Sequence, residues 1–164
     1  MRKNKSPEEP RPRGAGFSPT SFLLAQVGAH AASQFAQRLK KLQLAPRHAG
    51  ILRILNSGPA ITQQTLAVTL GMVPSQLVAV VDEMEERGLI ERRTNPDDRR
   101  SYALHITEKG RSTLQEIGGI AREHAQALLA ALSPEEQRQL GELLQRVADQ
   151  QGLTRGVHPG YRAV

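Results

Sequence analysis

ITQQTLAVTLGMVPSQLVAVVDEMEERGLIERRTNPDDRRSYALHITEKG, residues 61–110, is the stretch whose reading decides the fold. It divides into two short helices and a basic β-hairpin. Thr62 offers its hydroxyl to an orphan N–H of a first helical turn, and Gly71, free to take a positive φ, ends that helix. In the helix that follows, Leu77, Val80, Val81 and Met84 fall at i, i+3, i+4 and i+7. They make one apolar stripe for a core, with Ser75, Ala79, Asp82 and Glu86 on the opposite face. Gly88 closes the helix. A strand over 89–94, the turn-rich NPDDRR of 95–100 and a second strand over 101–106 complete the unit. This layout predicts a winged helix-turn-helix, and the expected fold class is mainly α with a small β-wing.

Charge within this unit sorts by position. Asp82, Glu83, Glu85 and Glu86 crowd the C-terminal half of the second helix, whereas its N-terminal half has no acid and presents Pro74, Ser75 and Gln76. Only that end can approach phosphates without repulsion, and a recognition helix does enter the major groove by its N-terminal residues. The hairpin adds Arg92, Arg93, Arg99 and Arg100, cations suited to a narrow, negative minor groove. Arg92 and Arg93 alternate faces, so at most one of them is expected on DNA. Ser75 and Gln76 are the candidates for base edges, Gln76 being able to pair with adenine in bidentate fashion. Thr62, Gln63 and Thr65 are candidates for phosphate contact from the preceding helix.

The run from Leu70 to Gly110 resembles the recognition helix and wing of the multiple antibiotic resistance regulator (MarR) family. The likeness lies in the GLIER step out of the helix, the wing-tip DDRR and the strand-to-helix HITEKG, and by element order it extends roughly over 19–150. It implies a homodimeric bacterial repressor or activator whose operator affinity changes with a small, frequently phenolic, ligand. It also implies that Asp98 pairs with Arg100 to shape the wing tip and that Arg99 or Arg100 reaches the minor groove. Val78 and Ala79 stand where the family commonly carries Ser or Thr and then Arg, so methyl contact with thymine is expected there in place of hydrogen bonding. On the family's pattern, Phe22, Gln26, His30, His48 and Arg53 are the candidates for lining an effector pocket.

Composition narrows the alternatives. The 164 residues carry a net charge of +6, which favours a polyanionic partner, and the absence of cysteine removes disulfides, thiolate metal sites and thiol redox sensing. Aromatics at 3% are too few for the stacking platforms that single-strand binders use. His30, His48, His105, His124 and His158 are scattered without an i, i+4 pair, so no metal is expected, and no catalytic or cofactor-binding motif is present. An enzyme is not expected. A signal peptide is not expected either, the apolar run of 22–25 being too short, and no segment approaches the ~20 apolar residues of a membrane span. A cytoplasmic protein is the resulting expectation.

Outward from the core unit, residues 1–17 read as a disordered basic arm, rich in Pro and Arg. Residues 18–44 read as a dimerisation helix opened by Ser18-Pro19, with Leu23, Val27, Ala31, Phe35, Leu39 and Leu42 as its stripe. The winged domain occupies 45–110, with a short helix from Pro46 burying Leu52 and Leu55 and an edge strand within 59–62. Over 111–151 lie two further dimerisation helices. The first, capped by Thr107, carries Leu114, Ile117, Ala121, Leu128 and Leu132, and the second opens on the capping box Ser133-Pro134-Glu135-Glu136. Gly118-Gly119, inside the first, costs ~2 kcal/mol relative to alanine and suggests a kink, a hinge or a close crossing. Residues 152–164 read as a flexible tail. More apolar stripe is present than one winged domain covers, which predicts a homodimer binding an inverted-repeat duplex. The rival functions are an architectural DNA-binding protein, separable by competition with random DNA, and a protein-contact module, favoured if no duplex binds at low salt.

Overall fold

The structure is a computed structural model that describes residues 19–94, 102–158 and 161. Helix α1 (Pro19–Leu39) runs into a 3-10 turn (Lys40–Leu42), and α2 (Pro46–Ser57) follows. Strand β1 (Ile61–Thr62) leads into α3 (Gln63–Leu70) and α4 (Pro74–Glu86), and the wing strands are β2 (Ile90–Thr94) and β3 (Tyr102–Ile106). Helices α5 (Glu108–Leu128) and α6 (Pro134–Gln150) complete the order. The winged helix-turn-helix expected from the sequence is the fold observed. The sheet is antiparallel in the order β1-β3-β2, with Ile90 opposite Ile106, Arg92 opposite Leu104 and Ile61 also opposite Leu104.

Local chemistry explains the element ends. Thr62 Oγ1 accepts the Thr65 amide at 3.1 Å, and Gly71 closes α3 at φ 63°. Thr107 Oγ1 accepts from the Gly110 amide at the start of α5 and donates to the Gly88 carbonyl at 2.7 Å, tying that helix to the end of α4. A Cβ on Gly110 would lie 2.1 Å from the Leu89 carbonyl oxygen, so the helix start can press against the wing only with glycine there. The capping box at Ser133 and Glu136 is formed in both directions.

Leu39, Ile51, Leu52, Leu66, Leu70, Leu77, Val81, Met84, Ile90 and Leu104 are fully buried in one core joining α1 to the winged unit. Burial of each such side chain contributes about 1.5–3 kcal/mol. The stripe of α1 is packed only in its second half. Phe22, Leu23, Leu24 and Val27 are about half exposed, as are Leu143, Leu144 and Val147 of α6.

Three expectations need correction. Helix α5 ends at Leu128, and Leu132 lies in the following turn, where the Gln137 side chain donates to the Leu129 and Leu132 carbonyls in front of the Ser133 cap. Gly118-Gly119 neither interrupts α5 nor marks a close crossing within the chain: Cβ atoms there would meet only the tip of Arg122, at 3.7 and 3.9 Å. Of the residues expected as a flexible tail, Val157 and Tyr161 pack against the core. Among the described residues no single helix is long and apolar enough to cross a membrane.

Candidate nucleic-acid interface

Helices α3 and α4 meet at 115° across Gly71, Met72 and Val73, the geometry of a helix-turn-helix. The angle follows from burial. Leu66, Ala67 and Leu70 of α3 and Leu77, Val80, Val81 and Met84 of α4 share the core, which turns the opposite face of α4 outward. On that outward face Pro74, Ser75, Val78 and Ala79 are exposed and Gln76 is half-buried. The N-terminus of α4 carries no acid in its first turn, and no side-chain hydrogen bond from Val73 caps it. Its partial positive charge is therefore open to an anion.

The acids at the other end of α4 hold the domain together. Arg92 on β2 sends Nη2 to Asp82 Oδ1 at 2.5 Å and Nη1 to Glu85 Oε2, while its backbone amide donates to Glu85 Oε1 at 2.9 Å. The same guanidinium reaches Gln63 Oε1 at 3.3 Å. Burial opposes the charge on Arg92, but the hydrogen bonds from Asp82 and Glu85 and their attraction outweigh it and raise its pKa. Arg87 donates to the Leu42 and Gln43 carbonyls at 3.0 and 2.8 Å and lies 3.4 Å from Glu83, fastening the C-terminal end of α4 to the turn after α1. Three of the four acids thus face fixed cations or, for Glu83, also His48.

This alters the reading of individual candidates. Arg92, expected on the DNA-facing wing, has its guanidinium engaged by two carboxylates and clamps the wing to α4. Arg93 is the exposed one of the pair, its side chain 61% accessible and 2.5 Å from Glu91. Asp98, Arg99 and Arg100 lie outside the described residues. Thr62 caps α3 and shares a 2.9 Å hydrogen bond with the Thr65 hydroxyl, Gln63 supports Arg92, and Thr65 is exposed. The clamp and the Arg87 anchor were missed from the sequence, although the Glu83–Arg87 spacing of four was a signal for the second.

The five effector-pocket candidates do not converge in one chain. Phe22 and Gln26 lie on the exposed half of α1, and His30 lines a shallow depression with Gln34, Arg38 and His124. His48 is 3% exposed at the start of α2, where Nδ1 accepts the Ala45 amide at 3.0 Å and Nε2 faces Glu83 Oε2 at 3.4 Å. Desolvation lowers its pKa despite the attraction of Glu83. Arg53 lies apart, near Gly58, Pro59 and Arg155. A different cavity of about 410 Å³ opens between α1, the start of α2 and the C-terminal segment. Among the described residues no group of three or more His, Asp or Glu side chains is placed to hold a metal ion.

Residues 41–101 match the family model described as MarR family. A Thauera aromatica protein named as a transcriptional regulatory protein for the hcr operon is 36% identical over 122 residues, 74% of either chain. Among solved structures, the transcriptional repressor CouR bound to a 23-mer DNA duplex is 31% identical, with a TM-score of 0.69 over 78% of this chain and 91% of that one. The Mycobacterium tuberculosis MarR-family protein Rv2887, in complex with p-aminosalicylic acid, is 24% identical with a TM-score of 0.66, over 80% of this chain and 99% of that one. At that identity the second likeness is one of fold.

Proposed function

The chain belongs to the MarR family and is a DNA-binding transcriptional regulator, and from that premise we propose that it acts as a homodimeric repressor on an inverted-repeat operator. One observation carries the reading of the site: the exposed, acid-free and uncapped N-terminus of α4 stands beside a wing that Arg92 holds in place. Ser75 and Gln76 read base edges in the major groove, and Val78 and Ala79 meet thymine methyl groups. Thr65 and Arg93, with the wing-tip arginines, take phosphate or the minor groove. The duplex held by CouR supports this mode of binding. Two copies related by a two-fold axis enter successive major grooves about 34–36 Å apart, which is why the operator is an inverted repeat.

A small aromatic effector that lowers operator affinity belongs to the same proposal, and the p-aminosalicylic acid complex of Rv2887 is an instance of this fold holding an aromatic acid. Such a ligand acts only through unequal affinity for the DNA-competent and incompetent arrangements of the two α4 helices. Selection of bound fragments from random duplex DNA tests the function. Enrichment of one inverted-repeat sequence is expected, and enrichment of none would return the architectural reading.

A further inference from the structure

The C-terminal segment is built into the protein at defined points. Arg155 pairs with Asp149 at 2.8 Å, Gly156 lies so close to Arg53 that a Cβ there would sit 2.3 Å from its Nη1, and the Tyr161 amide donates to the His158 carbonyl at 2.9 Å. Tyr161 then lies over Gly50 of α2. A Cβ added at Gly50 would come within 2.6 Å of the Tyr161 ring, and the three nearest atoms it would meet all belong to that side chain. Gly50 is thus a notch in a buried helix face, shaped for a tyrosine that arrives more than a hundred residues later.

The ring seated in that notch also walls the 410 Å³ cavity. Ala32 and Phe35 of α1, Ala45, Pro46 and Arg47 around the start of α2, and His158 and Tyr161 line it. Ligand sites of this kind are commonly a few hundred Å³, mostly apolar, with a small number of polar groups that fix orientation. Here the charged group is a cation, Arg47, whose Nε is buried without a hydrogen-bond partner, beside the polar atoms of His158 and Tyr161. Flat aromatic walls, one guanidinium with an unmet donor and, among the described residues, no carboxylate in the lining select a planar aromatic anion.

We propose that the C-terminal segment, seated through Tyr161 in the Gly50 notch, completes a binding site for a planar aromatic anion whose charge faces Arg47. The proposal rests on the ligand-responsive reading above and adds to it the place, the chemistry and the dependence on the segment's docking. With the segment undocked, the cavity loses its aromatic side and becomes an open groove between α1 and α2.

The test uses the full chain with 2-naphthoate and its uncharged counterpart 2-naphthamide as probes, binding being read by fluorescence. Tyr161→Ala is expected to weaken naphthoate by about tenfold or more through loss of the aromatic wall. Gly50→Ala, whose added methyl meets only the Tyr161 ring among the nearest atoms and which raises the helix propensity of α2, is expected to do the same by unseating Tyr161. Arg47→Gln is expected to weaken naphthoate about tenfold and leave naphthamide unchanged. Unaltered thermal unfolding and operator binding of the variants without probe verify that they fold. Equal naphthoate affinity in wild type, Tyr161→Ala and Gly50→Ala overturns the proposal. Failure of the wild type to bind naphthoate, with operator binding intact, overturns it as well and leaves the regulator reading standing. Segment-dependent binding that leaves operator affinity unchanged supports the site and overturns its role as the effector switch.

Discussion

At His48 two hydrogen-bonding demands meet on one ring. Nδ1 is occupied by the Ala45 amide, so the proton resides on Nε2, facing Glu83 on α4, and the neutral ring completes the cap of α2. A second proton would have to displace the Ala45 hydrogen bond inside the core. Burial lowers the pKa, so below the unfolded value of about 6.5 the unfolded chain binds more protons at this position than the native one. The contribution of His48 to stability is therefore complete above that pH and is lost as pH falls from there through the lower folded pKa. Urea unfolding between pH 8 and 5 is expected to show stability declining on the acid side. His48→Gln, which keeps an acceptor for Ala45 and cannot titrate, should show a shallower decline. An equal pH dependence in both proteins would remove His48 as the cause.

The wing and the recognition helix behave as one element because Arg92 fastens them. Its loss leaves Asp82 and Glu85 facing each other without their cation, a cost of about 1–3 kcal/mol for a partly buried, hydrogen-bonded charge. Arg92→Ala is expected to lower operator affinity by letting the wing drift, yet to leave the slope of log affinity against log salt unchanged, since Arg92 neutralises no phosphate. Arg93→Ala is expected to reduce that slope by about 1 with little loss of stability. Titrations at four salt concentrations separate the two, and a reduced slope for Arg92→Ala would contradict the clamp. The elements themselves were legible in the sequence, because Thr62, Gly71, Thr107 and Ser133 are local punctuation and the stripe of Leu77, Val80, Val81 and Met84 has a single period. The division of labour between Arg92 and Arg93 was legible only as alternation. Which arginine faces inward depends on the register of β2 against β3 and on the acids that α4 brings beneath it, both products of tertiary packing. The seating of Tyr161 was invisible for the same reason, its partner being a glycine with no side chain to announce the contact.

In the whole molecule, the helices at the two ends of the chain keep apolar faces in water. Phe22, Leu23, Leu24 and Val27 on α1 and Leu143, Leu144 and Val147 on α6 are the exposed apolar residues that the proposed homodimer would cover. Sedimentation at micromolar concentration is expected to give twice the 18.0 kDa chain mass. Leu143→Ser with Val147→Ser is expected to shift the molecule toward monomer, with operator binding falling as the dimer is lost. The central claim is that this dimer presents two α4 N-termini and two wings to a single face of duplex DNA. Dimethyl sulfate footprinting on a selected operator, which reads guanine N7 in the major groove and adenine N3 in the minor groove, tests it most directly. Two protected major-groove segments one helical turn, ~10 bp, apart on the same face, each flanked by minor-groove protection, are expected. A single protected half-site, or continuous protection without sequence or face preference, would contradict it.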